Sequence, residues 1–164
     1  MHIYINNKFV SYSNYKAKCA VGKRGISIKK KEGDFITPKG TFKIREIFYR
    51  KDRVQNLITR LKKTIIRKNM GWCDDPKSKK YNILIYFPFK YSAEKLYRRE
   101  NIYDIILVLN FNMNPVKKNK GSAIFIHLSR KNYLPTKGCI GLKLLHLKKI
   151  LRNLNSSSKI KITF

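Results

Sequence analysis

Near the C-terminal end of the chain, Phe125-Ile126-His127-Leu128 is followed by a polar loop and then by Thr136-Lys137-Gly138-Cys139-Ile140. A histidine thus ends an apolar run and a cysteine stands beside a glycine, with eleven residues between them. Acyl transfer through a thiol needs a nucleophile, a base to take its proton and backbone N–H groups to hold an oxyanion. Neutral imidazole is the usual base. Gly138 lets the backbone approach a ligand closely or take a positive φ. Lys137 adds positive charge, and Cys139 opens the segment leading into an apolar-faced helix from Leu142 to Leu154. The free N–H groups of a helix start lower a thiol pKa. The competing reading is packing, because a free cysteine is among the most commonly buried residue types.

The other chemistry-bearing residues carry weaker signals. Cys19, Cys73 and Cys139 are the three cysteines, so at least one thiol is free. No spacing matches a zinc site, and His2, His127 and His146 are the only histidines. No metal or organic cofactor is expected. His146 reads as surface or packing. Asp74 and Asp75 are adjacent loop carboxylates, which usually sit in solvent or cap a turn. Nothing near Cys73 activates it.

The elements that must position these residues are mostly strands. Residues 2 to 21 read as short strands with a hairpin around Asn6-Asn7. Thr37-Pro38-Lys39-Gly40 is a turn signal that leads into an alternating strand, Thr41 to Ile47. Residues 51 to 69 fit helix or strand, and Ser92 is a candidate N-cap for a short helix through Arg98. Tyr103 to Leu109 is a buried-strand candidate, as is Ala123 to Leu128 with His127 at its end, and Lys159 to Phe164 alternates. The expectation is a mainly β fold with one or two helices, a β-sandwich in a single domain over residues 1–164.

The formal net charge is +29. It is scattered along the chain, and Lys outnumbers Arg where Ile and Asn are also abundant, as AT-rich codons produce. Attraction to polyanions follows from the charge, whereas no nucleic-acid motif is present. The alternative to an enzyme is therefore a basic binding module with an idle Cys-His pair. No apolar run is long enough to cross a bilayer, so no transmembrane segment is expected. The first residues show no charged-then-apolar signal pattern, which predicts a cytoplasmic location. A monomer is expected.

The chain resembles the L,D-transpeptidase catalytic domain family, also called YkuD-like. The resemblance is carried by His127 followed by Thr136-Lys137-Gly138-Cys139, and by an upstream Thr37-Pro38-Lys39-Gly40-Thr41-Phe42. Two further stretches are similar to a branch of that family: Gly71-Trp72-Cys73-Asp74-Asp75-Pro76 and Gly121-Ser122-Ala123-Ile124-Phe125-Ile126-His127. It runs from about Lys18 to the end. The resemblance implies an L,D-transpeptidase-like β-sandwich that acts on peptidoglycan or muropeptide stem peptides. Cys139 would be the nucleophile and His127 the base. The backbone N–H groups of Gly138, Cys139 and Ile140 would form the oxyanion hole. Thr136, Lys137 and Trp72 would touch substrate. D-Ala would leave, and an amine or water would resolve the thioester, giving transpeptidation, exchange or carboxypeptidase activity. A periplasmic or envelope location is also implied. Many members have His where this chain has Lys137, and Asn or Arg shortly after the cysteine where it has Ile140-Gly141-Leu142.

Overall fold

The computed structural model describes residues 1–164. Its elements, in order, are β1 (His2–Ile5), β2 (Phe9–Tyr12), β3 (Tyr15–Lys18), β4 (Ile26–Ser27), β5 (Thr37–Pro38), β6 (Gly40–Phe42), β7 (Ile44–Tyr49), β8 (Lys63–Ile65), β9 (Met70–Cys73), β10 (Leu84–Tyr86), β11 (Ala93–Lys95), β12 (Ile105–Leu109), β13 (Phe125–Leu128), β14 (Ile140–Leu142), α1 (Leu144–Asn153) and β15 (Lys159–Ile162). Two single 3-10 turns, at Asn101–Tyr103 and Lys131–Tyr133, complete the set. The fold is mainly β with one α-helix.

Two five-stranded sheets dominate, ordered β3-β2-β1-β15-β6 and β14-β13-β12-β7-β8. The first is half-buried. In β1 and β15 the residues Ile3, Ile5, Ile160 and Ile162 point inward while His2, Tyr4 and Lys159 face water, the alternation expected of a one-sided sheet. The second sheet is covered on both faces, so β12, Ile105-Ile106-Leu107-Val108-Leu109, is buried throughout and does not alternate. Ile47, Ile105, Leu107, Leu109, Ile126, Leu128 and Ile140 face the first sheet and α1, which contributes Leu147, Ile150 and Leu151 to that core. Phe48, Ile106, Val108 and Phe125 face the other way. There they meet Met70 and Trp72 of β9, the centre of a third sheet ordered β10-β9-β11.

Two local expectations are corrected and one open reading is resolved. Residues after Ser92 form β11, not a helix, because Ala93, Glu94 and Lys95 pair with Cys73, Trp72 and Gly71 of β9. Residues 51 to 69 contain no helix; Lys63–Ile65 runs parallel to β7 instead. The C-terminal helix begins at Leu144, since Ile140, Gly141 and Leu142 pair in parallel with Ile126, His127 and Leu128. Tertiary pairing overrides local propensity in each case.

Candidate active site

The parallel pairing of β13 and β14 builds the site. Ile126 is opposite Ile140 and His127 is opposite Gly141. The preceding step sets Cys139 beside Phe125. Since alternate residues share a face, Cys139 and His127 project from the same side of the sheet, two residues out of step on neighbouring strands. Both line a cavity of about 450 Å3.

The loop carrying Cys139 is held from two directions. The Thr136 hydroxyl donates to the Cys139 carbonyl at 2.6 Å and accepts the Gly138 N–H at 3.1 Å. The buried Thr37 hydroxyl, on β5, donates to the Gly138 carbonyl and accepts the Gly22 N–H, each at 2.8 Å. Gly138 has φ +136°, and a Cβ there would lie 2.9 Å from the Ile36 carbonyl oxygen. Only glycine fits that approach. The upstream Thr-Pro-Lys-Gly stretch thus reaches across the chain to brace the cysteine loop.

The cysteine thiol donates to the Ala123 carbonyl at 3.1 Å, and its sulfur accepts the Phe125 N–H at 3.4 Å. Burial pushes the thiol up to about 12; Glu94 and Glu32 add to this, while Phe125 N–H and Lys29 oppose it. The expected lowering by a helix N-terminus does not occur, because α1 starts five residues beyond Cys139. His127 is pushed down to about 4 by burial, with Arg130 and Arg98 contributing. Its Nδ1 lies 2.9 Å from the Leu128 carbonyl. A carbonyl only accepts, so Nδ1 carries the proton of the neutral ring and Nε2 keeps a free lone pair. At neutral pH the two groups are a neutral thiol and a neutral imidazole.

Of the backbone donors expected around Cys139, that of Gly138 is engaged by Thr136. The Cys139 N–H donates to no protein group. Ile140 enters β14 with its side chain fully buried in the larger core. Thr136 and Lys137 line the cavity. Trp72 does not: it is 4% exposed, packs edge-on against Phe48 and Phe125, and donates from Nε1 to Asn82 Oδ1 at 3.0 Å. A role for Trp72 in this cavity is thereby corrected: it packs in the smaller core and borders a separate cavity of about 250 Å3. Asp75 caps its own turn, accepting the Lys77 N–H, and Asp74 accepts the Ser92 hydroxyl at the cavity wall.

Several lining residues carried no motif signal. The Tyr103 ring meets the His127 ring edge-to-face at 5.3 Å, and its hydroxyl donates to Glu94 at 2.7 Å. Arg98 reaches the same carboxylate at 3.3 Å. Burial raises the Glu94 carboxyl, with Tyr103 and Arg98 opposing. Deeper in, Lys29 and Asp34 form a buried ion pair at 2.5 Å. Burial opposes ionisation of Asp34, but Lys29 and the N–H groups of Ile36, Lys30 and Lys31 hold its carboxyl down to about 2. One signal was available for part of this set. Glu32, Asp74 and Glu94 line the cavity, three of only nine acidic residues in the chain.

The family model for the L,D-transpeptidase catalytic domain (YkuD) matches residues 1–162. The match takes in β1 to β3, ahead of every motif named above. No curated protein matches the chain.

Proposed function

The chain belongs to the L,D-transpeptidase catalytic domain family, and from that premise we propose that it is a cysteine-dependent acyltransferase acting on peptidoglycan stem peptides, with Cys139 as nucleophile and His127 as base. The observation that carries this reading is the shared cavity: one sheet face presents the Cys139 thiol and a His127 ring whose Nδ1 is tied to Leu128, leaving Nε2 free to accept a proton.

The resting protonation states favour general-base attack over a preformed ion pair. Substrate displaces the thiol from the Ala123 carbonyl, the S–H proton passes to Nε2 and the sulfur bonds to the carbonyl carbon before the terminal D-residue. The oxyanion is held by the Cys139 N–H, a contribution of about 3 kcal/mol for one good donor. The Gly138 N–H joins only by exchanging its bond to Thr136. Collapse expels D-Ala, whose amine takes the proton back from the imidazolium, and a thioester remains. An acceptor amine, or water, then gives its proton to Nε2, attacks the thioester and releases the thiol. Thr136 and Lys137 sit where the substrate must pass. The place of action is the cell wall, or the pool of wall precursors and fragments.

Incubation with a carbapenem, an acyl-donor mimic, followed by intact mass measurement tests this. A covalent adduct is expected, lost in Cys139→Ala and retained in Cys73→Ala. Absence of the adduct, with muropeptides from digested sacculi unchanged by the protein, overturns the reading.

A further inference from the structure

Asn82 lies outside the lining of the Cys139–His127 cavity, borders a smaller cavity with Trp72, and is buried at 0% exposure. Its backbone is left-handed, φ +61°, a conformation that asparagine tolerates better than most residues. Its side-chain amide is fully satisfied. Oδ1 accepts from Trp72 Nε1 at 3.0 Å and from the Ala123 N–H at 3.1 Å. Nδ2 donates to the carbonyls of Phe111 at 3.0 Å and Asn112 at 2.8 Å. Two carbonyls on one side and two N–H donors on the other fix which end is oxygen. Aspartate offers no donors and glutamine is a methylene too long.

One of those four partners belongs to the residue that holds the thiol. Ala123 sits at φ +50°, an unfavourable conformation for a side chain with a Cβ, and must be held there by its surroundings. Its N–H is fixed by Asn82 and its carbonyl receives the Cys139 S–H. We propose that Asn82 is a positioning residue for the Cys139 thiol, acting through Ala123: by locking the Ala123 peptide against Trp72 and the 111–112 backbone, it fixes the carbonyl that parks the sulfur beneath the substrate. The inference rests on Cys139 being the nucleophile.

A hydrogen bond from the thiol stabilises its neutral form. Releasing the carbonyl therefore makes the sulfur easier to ionise and less well placed, so two rates move in opposite directions. The test is Asn82→Gly, which keeps the left-handed backbone accessible and removes the amide. Alkylation of Cys139 by iodoacetamide, followed by peptide mass across a pH series, reports the thiol alone. Its midpoint is expected to fall by about one unit, with faster alkylation at pH 8. Acylation by a carbapenem is expected to slow at least about tenfold. Trp72→Phe removes one of the four anchors while keeping an aromatic ring, and is expected to speed alkylation and slow acylation as Asn82→Gly does, each by a smaller factor. A folded Asn82→Gly, judged by near-ultraviolet circular dichroism, with both rates unchanged overturns the proposal. So does a parallel fall in both rates. Should Asn82→Gly fail to fold, Trp72→Phe decides by the same criteria. A wild-type protein that alkylates at Cys139 but takes no acyl group overturns the functional reading, while the alkylation profiles still decide the role of Asn82.

Discussion

The two faces of the β14-β13-β12-β7-β8 sheet are built from different chemistry. The face towards β1, β15 and α1 belongs to a 25-residue core made largely of Ile, Leu and Val. The face towards β9 belongs to a 10-residue core rich in aromatics: Phe48, Trp72, Tyr103 and Phe125. Strand β13 shows the division within four residues, sending Ile126 and Leu128 to one side and Phe125 and His127 to the other. Buried polar groups next to the site, Asn82 and Tyr103 among them, lie on the aromatic side, each hydrogen-bonded. Aliphatic burial is non-directional and sets stability, whereas ring edges and hydrogen bonds fix orientation. One sheet thus separates the part that holds the molecule together from the part that aims its side chains.

The most forceful way to break that division is to cut consecutive residues of β12. Leu107 faces the aliphatic core and Val108 the aromatic one, and both are fully buried. Leu107→Ala is expected to cost about 3 kcal/mol in urea unfolding, within the usual range for a buried leucine. Its carbapenem acylation rate, counted per folded molecule, should stay at the wild-type value. Val108→Ala removes fewer atoms and should destabilise less, yet slow acylation, because Val108 pairs with Phe125 across the ladder and shares the smaller core with Tyr103. Equal slowing by the two substitutions would erase the distinction between the faces.

How much of this was legible before the structure depends on the range of the interaction. Period-two alternation exposed β1 and β15, and a continuous apolar run exposed β12, because burial leaves its pattern in consecutive residues. Cys139 and His127 stood out through neighbouring residue types, and the Thr37 stretch through a resemblance. Trp72 was misassigned because its groove or core position depends on what β10 and β13 lay over it. Asn82 and Tyr103 gave no signal at all, and Glu94 only that of being one of nine acidic residues in the chain. Their roles are side-chain contacts to residues far along the chain, such as Asn82 to Ala123, and sequence spacing carries no trace of them. The strand Ala93–Lys95 was hidden for the same reason: its partner is β9.

The comparison sharpens with pH. His127 has its pKa lowered from 6.5 to about 4 by burial. Between those values the unfolded chain takes up a proton that the folded protein refuses. Stability is therefore complete above pH 6.5 and falls as the pH drops towards 4, by about 3 kcal/mol at most. Asp34 acts lower: its stabilisation is present above pH 3.8 and is lost as the pH falls towards 2. Thermal melts of wild type and His127→Gln from pH 7 to pH 4 test the assignment. The wild type should lose melting temperature across this window, and the variant should lose much less. Equal slopes would place the acid sensitivity outside the aromatic face.

The smallest expected effect falls on a residue that bridges the two halves of the chain. Thr37 is fully buried, and its hydroxyl joins Gly22 to the Gly138 carbonyl. Thr37→Val keeps the shape and removes the hydroxyl, leaving a buried N–H and a buried carbonyl without their partner. A loss of about 1–2 kcal/mol follows, together with slower acylation because the Gly138-Cys139 loop gains freedom. Thr37→Ser restores the hydroxyl and should recover most of the acylation rate despite its missing methyl group. The methyl belongs to packing and the hydroxyl to aim, so the pair separates stability from positioning inside one side chain. If Thr37→Val is less stable but acylates at the wild-type rate, Thr136 alone holds the loop, and the aiming apparatus ends at the aromatic face.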